Sequence, residues 1–188
     1  MRADSSRVHF LIQVGDSAVV GSIPGVLGAL TFREESGGFV GAEGRMQLDL
    51  TGATLADTLR TRMLREQLEP AGPRESSVAE LRVRDLFGKR FKTDLPLGGV
   101  LPVSIRGQLL VRGRAVSRQF DGEITRTPGG WRLTNAQPIV FSFEEVGLRE
   151  ERDAWFSARE AVPARGPVAI SVDLRLERRV AAEARSAE

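Results

Sequence analysis

The segment PVAISVDLRL, Pro167 to Leu176, alternates with almost no fault. Val168, Ile170, Val172, Leu174 and Leu176 fall on one side; Ala169, Ser171, Asp173 and Arg175 fall on the other. A period of two describes a β-strand with one dry face and one wet face. The fold then depends on how many other segments share this pattern and on what their dry faces enclose.

Several do share it. Arg7 to Val14 places Val8, Phe10, Ile12 and Val14 together and leaves His9, Leu11 and Gln13 opposite. The run SAVVGSIPGVLGALTF is apolar but interrupted by Gly21, Pro24, Gly25 and Gly28, which predicts two strands or one kinked strand. Gly44 to Leu50 turns Met46, Leu48 and Leu50 inward, and Ser77 to Arg84 does the same with Ala79, Leu81 and Val83. Leu101 to Val111, Val116 to Thr127, Trp131 to Leu133 and Pro138 to Val146 follow, punctuated by turns at Gly113 and at Pro128-Gly129-Gly130. In these, Val116, Phe120 and Ile124 align, as do Ile139, Phe141 and Phe143.

One segment has a different period. From Thr54, the residues Leu55, Leu59 and Met63 repeat every four positions, with Leu64 and Leu68 extending the face. Thr54 and Asp57 form a variant capping box, and Pro70, Gly72 and Pro73 end the helix after about four turns. Eight or so antiparallel strands with one early helix predict an all-β barrel or sandwich.

At 188 residues the chain fits one domain, 1–188, with its core over about 6–177. The absence of cysteine excludes disulfides, thiolate metal sites and cysteine nucleophiles. The 27 basic and 25 acidic residues nearly cancel, so charge gives no argument for a nucleic-acid partner. No apolar run approaches the ~18–20 residues of a membrane span. The start, MRADSSRVHF, lacks the pattern of an export signal. The expectation is a soluble chain, cytoplasmic as written and periplasmic if a leader was removed.

Catalytic chemistry finds little support. His9 is the only histidine and lies opposite Phe10 on its strand. With no cysteine beside it, a transition-metal site lacks its usual ligands. Gly21, Gly25 and Gly28 match no phosphate-loop spacing and read as a strand bend. The pairs Glu34-Glu35, Glu144-Glu145 and Glu150-Glu151 are adjacent in sequence, and adjacent strand residues point to opposite faces. The expectation is a non-enzymatic protein with no cofactor and no metal.

Taken together, these segments resemble the YceI-like family over roughly Ser6 to Glu177. SRVHFLIQV resembles its first strand, and VVGSIPGVLGALTF carries Gly21, Gly28 and Phe32 at the family's positions. LTGATLADTLRTRMLR is similar to its strand-to-helix segment, with Leu59-Arg60 and Leu64-Arg65 in matching places. IRGQLLVRGRAVSRQF resembles its hairpin through Gly107, Leu109 and Gly113; VGLR and VAISVDLRLE resemble its late turn and last strand. The chain departs from the pattern at Thr61 and Met63, where the family has Asp and His, and at Arg112, where it has His. LEPAGPRESS replaces an aromatic-rich stretch. The resemblance implies a lipocalin-like antiparallel barrel that binds a polyisoprenoid lipid.

An eight-stranded barrel is wide enough either to be filled by side chains or to hold one small ligand. Aromatic residues make up only 6% of the chain, so the interior is mostly aliphatic, which suits a hydrocarbon guest. The expected lining is Phe10, Ile12, Leu48, Ile105, Leu109, Phe120, Phe141, Phe143, Ile170 and Val172, with Leu59 and Met63 of the helix closing one end. Arg62 and Arg65 are candidates for a polar headgroup, against the plainer reading of a solvated face with Arg62 opposite Glu66.

The leading functional expectation is a carrier or store for a long isoprenoid-like lipid, a prenyl phosphate or a quinone. The alternative is a filled barrel whose loops, LEPAGPRESS or EEVGLREERDAW, contact a protein partner. A homodimer through an edge strand stays open.

Overall fold

The computed structural model describes residues 6–14, 17–35, 38–69, 77–88, 91–92, 95–147 and 167–177. They form β1 (Arg7–Val14), β2 (Ser17–Pro24), β3 (Leu27–Glu35), β4 (Gly38–Asp49), β5 (Thr54–Leu55), α1 (Thr58–Leu68), β6 (Val78–Gly88) and β7 (Phe91–Lys92). The second half adds β8 (Val100–Val111), β9 (Arg114–Thr127), β10 (Gly130–Asn135), β11 (Ile139–Phe141) and β12 (Val168–Glu177). All strand pairings are antiparallel, in the order β3-β4-β6-β8-β9-β10-β12-β1-β2-β5, with β11 on β12 and β7 on β4. This is a lipocalin-like all-β fold with one helix.

The opening segment sits where its pattern requires. β12 pairs with β1 on one side and with β10 and then β11 on the other. Its Val172, Leu174 and Leu176 are buried, as are Val8, Phe10 and Ile12 of β1. Outside, Arg132 of β10 donates two hydrogen bonds to Asp173 of β12, at 2.8 and 2.7 Å, which holds the Asp173 carboxyl below its usual range. Buried Ser6 hydrogen-bonds the Arg175 backbone in both directions, at 3.0 and 3.4 Å, and fixes the start of β1.

The interrupted run around Gly25 curls the sheet. β2 pairs with β1 while β3 pairs with β4, so the two ends of the ladder are successive halves of one bent strand. Counting the two as one, eight long strands surround the interior, and β5, β7 and β11 are short additions. Gly25 makes the bend with φ +75°, a backbone region that suits glycine. Gly28 serves a second purpose: a Cβ there would lie 2.2 Å from the Arg45 carbonyl oxygen of β4.

The helix differs from expectation at its start. Asp57 caps it by accepting from the Arg60 backbone N–H at 2.9 Å, and it runs three turns rather than four. Thr54 and Leu55 are taken instead by the edge of β2, with Gly21 and Ser22 as partners. The buried stripe is Leu64 and Leu68. Leu59 lies about 140° round the helix from Leu64, and is 48% exposed. The expected strand at Pro138–Val146 is also shorter: only Ile139–Phe141 pairs. Beyond it SFEE folds as a capping box, with the Ser142 N–H donating to Glu145 Oε2 at 2.8 Å and the Glu145 N–H donating to Ser142 Oγ at 3.1 Å. Among the described residues no helix is long and apolar enough to cross a membrane.

The two glycines separate bend from close contact. Gly28→Ala is expected to cost about 2–4 kcal/mol, combining backbone strain with overpacking. Gly25→Ala, with nothing within 4 Å of its Cβ position, should cost only about 1–2 kcal/mol of backbone strain. Urea unfolding of both variants measures the difference; equal losses would contradict the close approach at Arg45.

Candidate functional site

The interior is divided into a tightly packed half and a half that stays partly open. In one half Met46, Leu86, Ile105, Ile124, Leu133 and Leu174, contributed by six strands, are almost completely buried against each other. In the other, smaller residues such as Ala53, Ala79 and Gly107 stand on the wall, and a cavity of about 160 Å³ remains. One strand crosses from one regime to the other: Val103 and Ile105 of β8 belong to the packed half, Gly107, Leu109 and Val111 to the hollow half. Apart from Arg118, the remaining wall is aliphatic and aromatic. An apolar cavity of roughly this volume stays dry and accepts a small apolar guest.

Of the expected lining, Phe10, Ile12, Leu48, Leu109, Phe120, Phe141, Phe143, Ile170 and Val172 do stand on this wall. Ile105 does not: with 0% exposure it is packed in the filled half, where its Cδ1 lies against Gly122. Leu59 faces away from the barrel, and Met63 packs on the core without reaching the wall. Leu64 and Leu68 close that end in their place.

The headgroup candidates have other employment. Arg62 pairs with Glu66 at 3.7 Å, both exposed. Arg65 Nε donates to the Ala53 carbonyl at 2.8 Å and so ties α1 to the wall. His9 is exposed on the outer face. Glu34 and Glu35 lie on β3, while Glu150, Glu151 and most of LEPAGPRESS and EEVGLREERDAW fall outside the described residues. Among the described residues no group of three or more His, Cys, Asp or Glu is placed to hold a metal ion.

Among the described residues one charged side chain stands on the wall, and it is not among those expected from the sequence. Arg118 shares the inward parity of Val116, Phe120 and Ile124 on β9, so the same alternation that aligned those residues also directs it inside. Among the described residues its position is a break in the hydrogen-bonded wall. β10 pairs with β9 only from Gly122 onward, and the first half of β9 has no ladder to β11. The Arg118 side chain bridges this seam. Its guanidinium lies over the Phe141 ring at 5.1 Å, and Nη2 donates to Glu145 Oε1 at 2.5 Å. Nη1 donates to the Ser117 carbonyl at 3.1 Å, and Nε reaches the Val140 carbonyl at 3.5 Å.

Glu145 is held from two directions. The Ser142 backbone N–H and then the Arg118 guanidinium bring its pKa down from 4.5 to about 2. The ion pair therefore persists throughout the ordinary pH range.

Solved structures share this architecture. A polyisoprenoid binding domain from Saccharophagus degradans, implicated in plant cell wall breakdown, superposes with a TM-score of 0.68 at 14% identity, over 92% of this chain and 93% of that one. BcnA of Burkholderia cenocepacia gives 0.59 at 15% identity, over 89% and 94% of the two chains. A mutant CJ YCEI protein made for nanotechnology applications gives 0.56 at 8% identity, over 89% and 90%. No family model matches the sequence. No curated protein matches it either. The fold is YceI-like.

The electrostatics of the seam can be read by titration. A carboxyl with a lowered folded pKa contributes stability above its unfolded value, and loses that contribution as pH falls through the folded value. The Glu145 carboxyl carbon should keep its ionised chemical shift until pH nears 2. In Arg118→Gln its midpoint should rise but stay below 4.5, because the Ser142 N–H remains. An ordinary midpoint in the unmodified protein would contradict the pinned geometry.

Proposed function

We propose that the protein holds the hydrocarbon tail of an isoprenoid-like lipid in the hollow half of the barrel, as a carrier or store. The observation that carries this reading is the dry wall converging from the helix and most of the strands on one unfilled space. The polyisoprenoid binding domain from Saccharophagus degradans, with the same architecture, supports it.

Magnitudes define what the guest must do. A cavity of this size accepts a guest of about six carbons. At ~0.8 kcal/mol per buried methylene, such a guest gains about 5 kcal/mol, close to millimolar affinity. Micromolar binding needs ten or more buried carbons after ordering costs are met. A tail long enough to bind usefully must therefore widen the cavity. Backbone hydrogen bonds resist widening wherever strands pair, and the β9–β11 seam lacks them.

The barrel filled by its own side chains, acting only as an interaction module, fits the packed half alone. Leu109→Trp separates the two readings, since an indole at that wall position consumes the free volume. The variant should keep its thermal midpoint within a few degrees and lose at least about tenfold in uptake of a C20 prenol, followed by native mass spectrometry. A folded variant that takes up the prenol as before would refute the tail site, as would an unmodified protein that takes up none.

A further inference from the structure

Resting on that reading, we infer that Arg118 is the anchor for an acidic lipid headgroup at the β9–β11 seam, and that Glu145 is an internal carboxylate which it exchanges for the ligand's oxyanion. The argument begins with position. Among the described residues Arg118 is the charged residue of an otherwise apolar wall, and its guanidinium stands where no described strands close that wall by backbone hydrogen bonds. A tail inside the cavity with its head at this seam places that head within reach of the guanidinium.

The contact already present shows which chemistry fits. Glu145 Oε1 lies 2.5 Å from Arg118 Nη2, with the neighbouring Ser142 N–H donating to the other carboxylate oxygen. The guanidinium, whose N–H donors lie in one plane, is suited to a carboxylate or phosphate in the place of Oε1. The two oxygens of Glu145 have separate partners, so Oε1 can leave Arg118 while Oε2 keeps the Ser142 capping box intact. Both side chains are partly solvated, at 33% and 41% exposure, and a released Glu145 returns to water rather than to an apolar interior.

Charge then discriminates between guests. A neutral prenol or quinone head that displaced Glu145 would leave the guanidinium without a counter-ion beside an apolar wall, at a free-energy cost. A phosphate or carboxylate head exchanges one anion for another. The same exchange releases the turn carrying Glu145 from β9, while Arg118 keeps its contacts with Val140 and Phe141 of β11.

The test measures binding of a C20 prenol and of its monophosphate ester to the full chain, with inorganic phosphate as competitor. In Glu145→Gln the ratio of phosphate-ester to prenol affinity should rise about tenfold, roughly the worth of one charge-assisted hydrogen bond. In Arg118→Gln the ratio should fall by a similar factor, and Arg118→Lys should restore part of it. Inorganic phosphate at millimolar concentration should not displace the ester, because the tail supplies most of its affinity; efficient displacement would overturn a lipid-borne head in favour of a free-phosphate site. A ratio unchanged in both variants would overturn the headgroup role and leave the tail site standing. Failure of both lipids to bind the unmodified protein would remove the proposed function and this inference together.

Discussion

The bend at Gly25 is the constraint on which the rest depends. By letting one stretch of chain pair with β1 before the bend and β4 after it, the bend makes the first and last strands of the ladder neighbours in sequence. Among the described residues the apolar faces of the strands then pack against one another, α1 and the turn carrying Phe143 and Val146. Once the sheet is curled in this way, the fit of the inward side chains to one another decides whether a level is solid or open.

That decision falls differently at the two ends. Medium-sized aliphatic residues at matching heights fill one half, while Ala53, Ala79 and Gly107 thin the wall of the other. The packed half supplies cohesion, since filled interiors gain both burial and dispersion energy. The hollow half forgoes some of that energy, as cavities in proteins do. A fold that retains such a cavity beside a well-packed core has the stability to support it. The structure thus serves as scaffold at one end and container at the other.

Strand parity made most of this legible. The alternation of Val8, Phe10 and Ile12, and of Val172 and Leu174, located the dry faces because period-two patterns leave little freedom once one face is buried. Parity could not tell height, so Ile105 in the packed half and Leu109 in the hollow half read alike. The helix start was mistaken because Thr54 and Asp57 are both good cap residues, and a tertiary contact, the edge of β2, claimed the first. Of the expected apolar stripe, Leu64 and Leu68 are buried while Leu59 is exposed. Phe143 tempted a longer strand, although SFEE already contained a capping-box spacing. Arg118 is hidden in the sequence for a different reason: a polar residue at an inward parity breaks the apolar pattern that marks a wall.

The division of the interior is the claim most open to direct measurement, and a crystal pressurised with xenon reports on it without any assumption about the natural guest. The account expects a xenon peak among Leu48, Leu109, Phe120 and Ile170, and none among Ile105, Ile124, Leu133 and Leu174. Xenon absent from the first group, or present in the second, would contradict it.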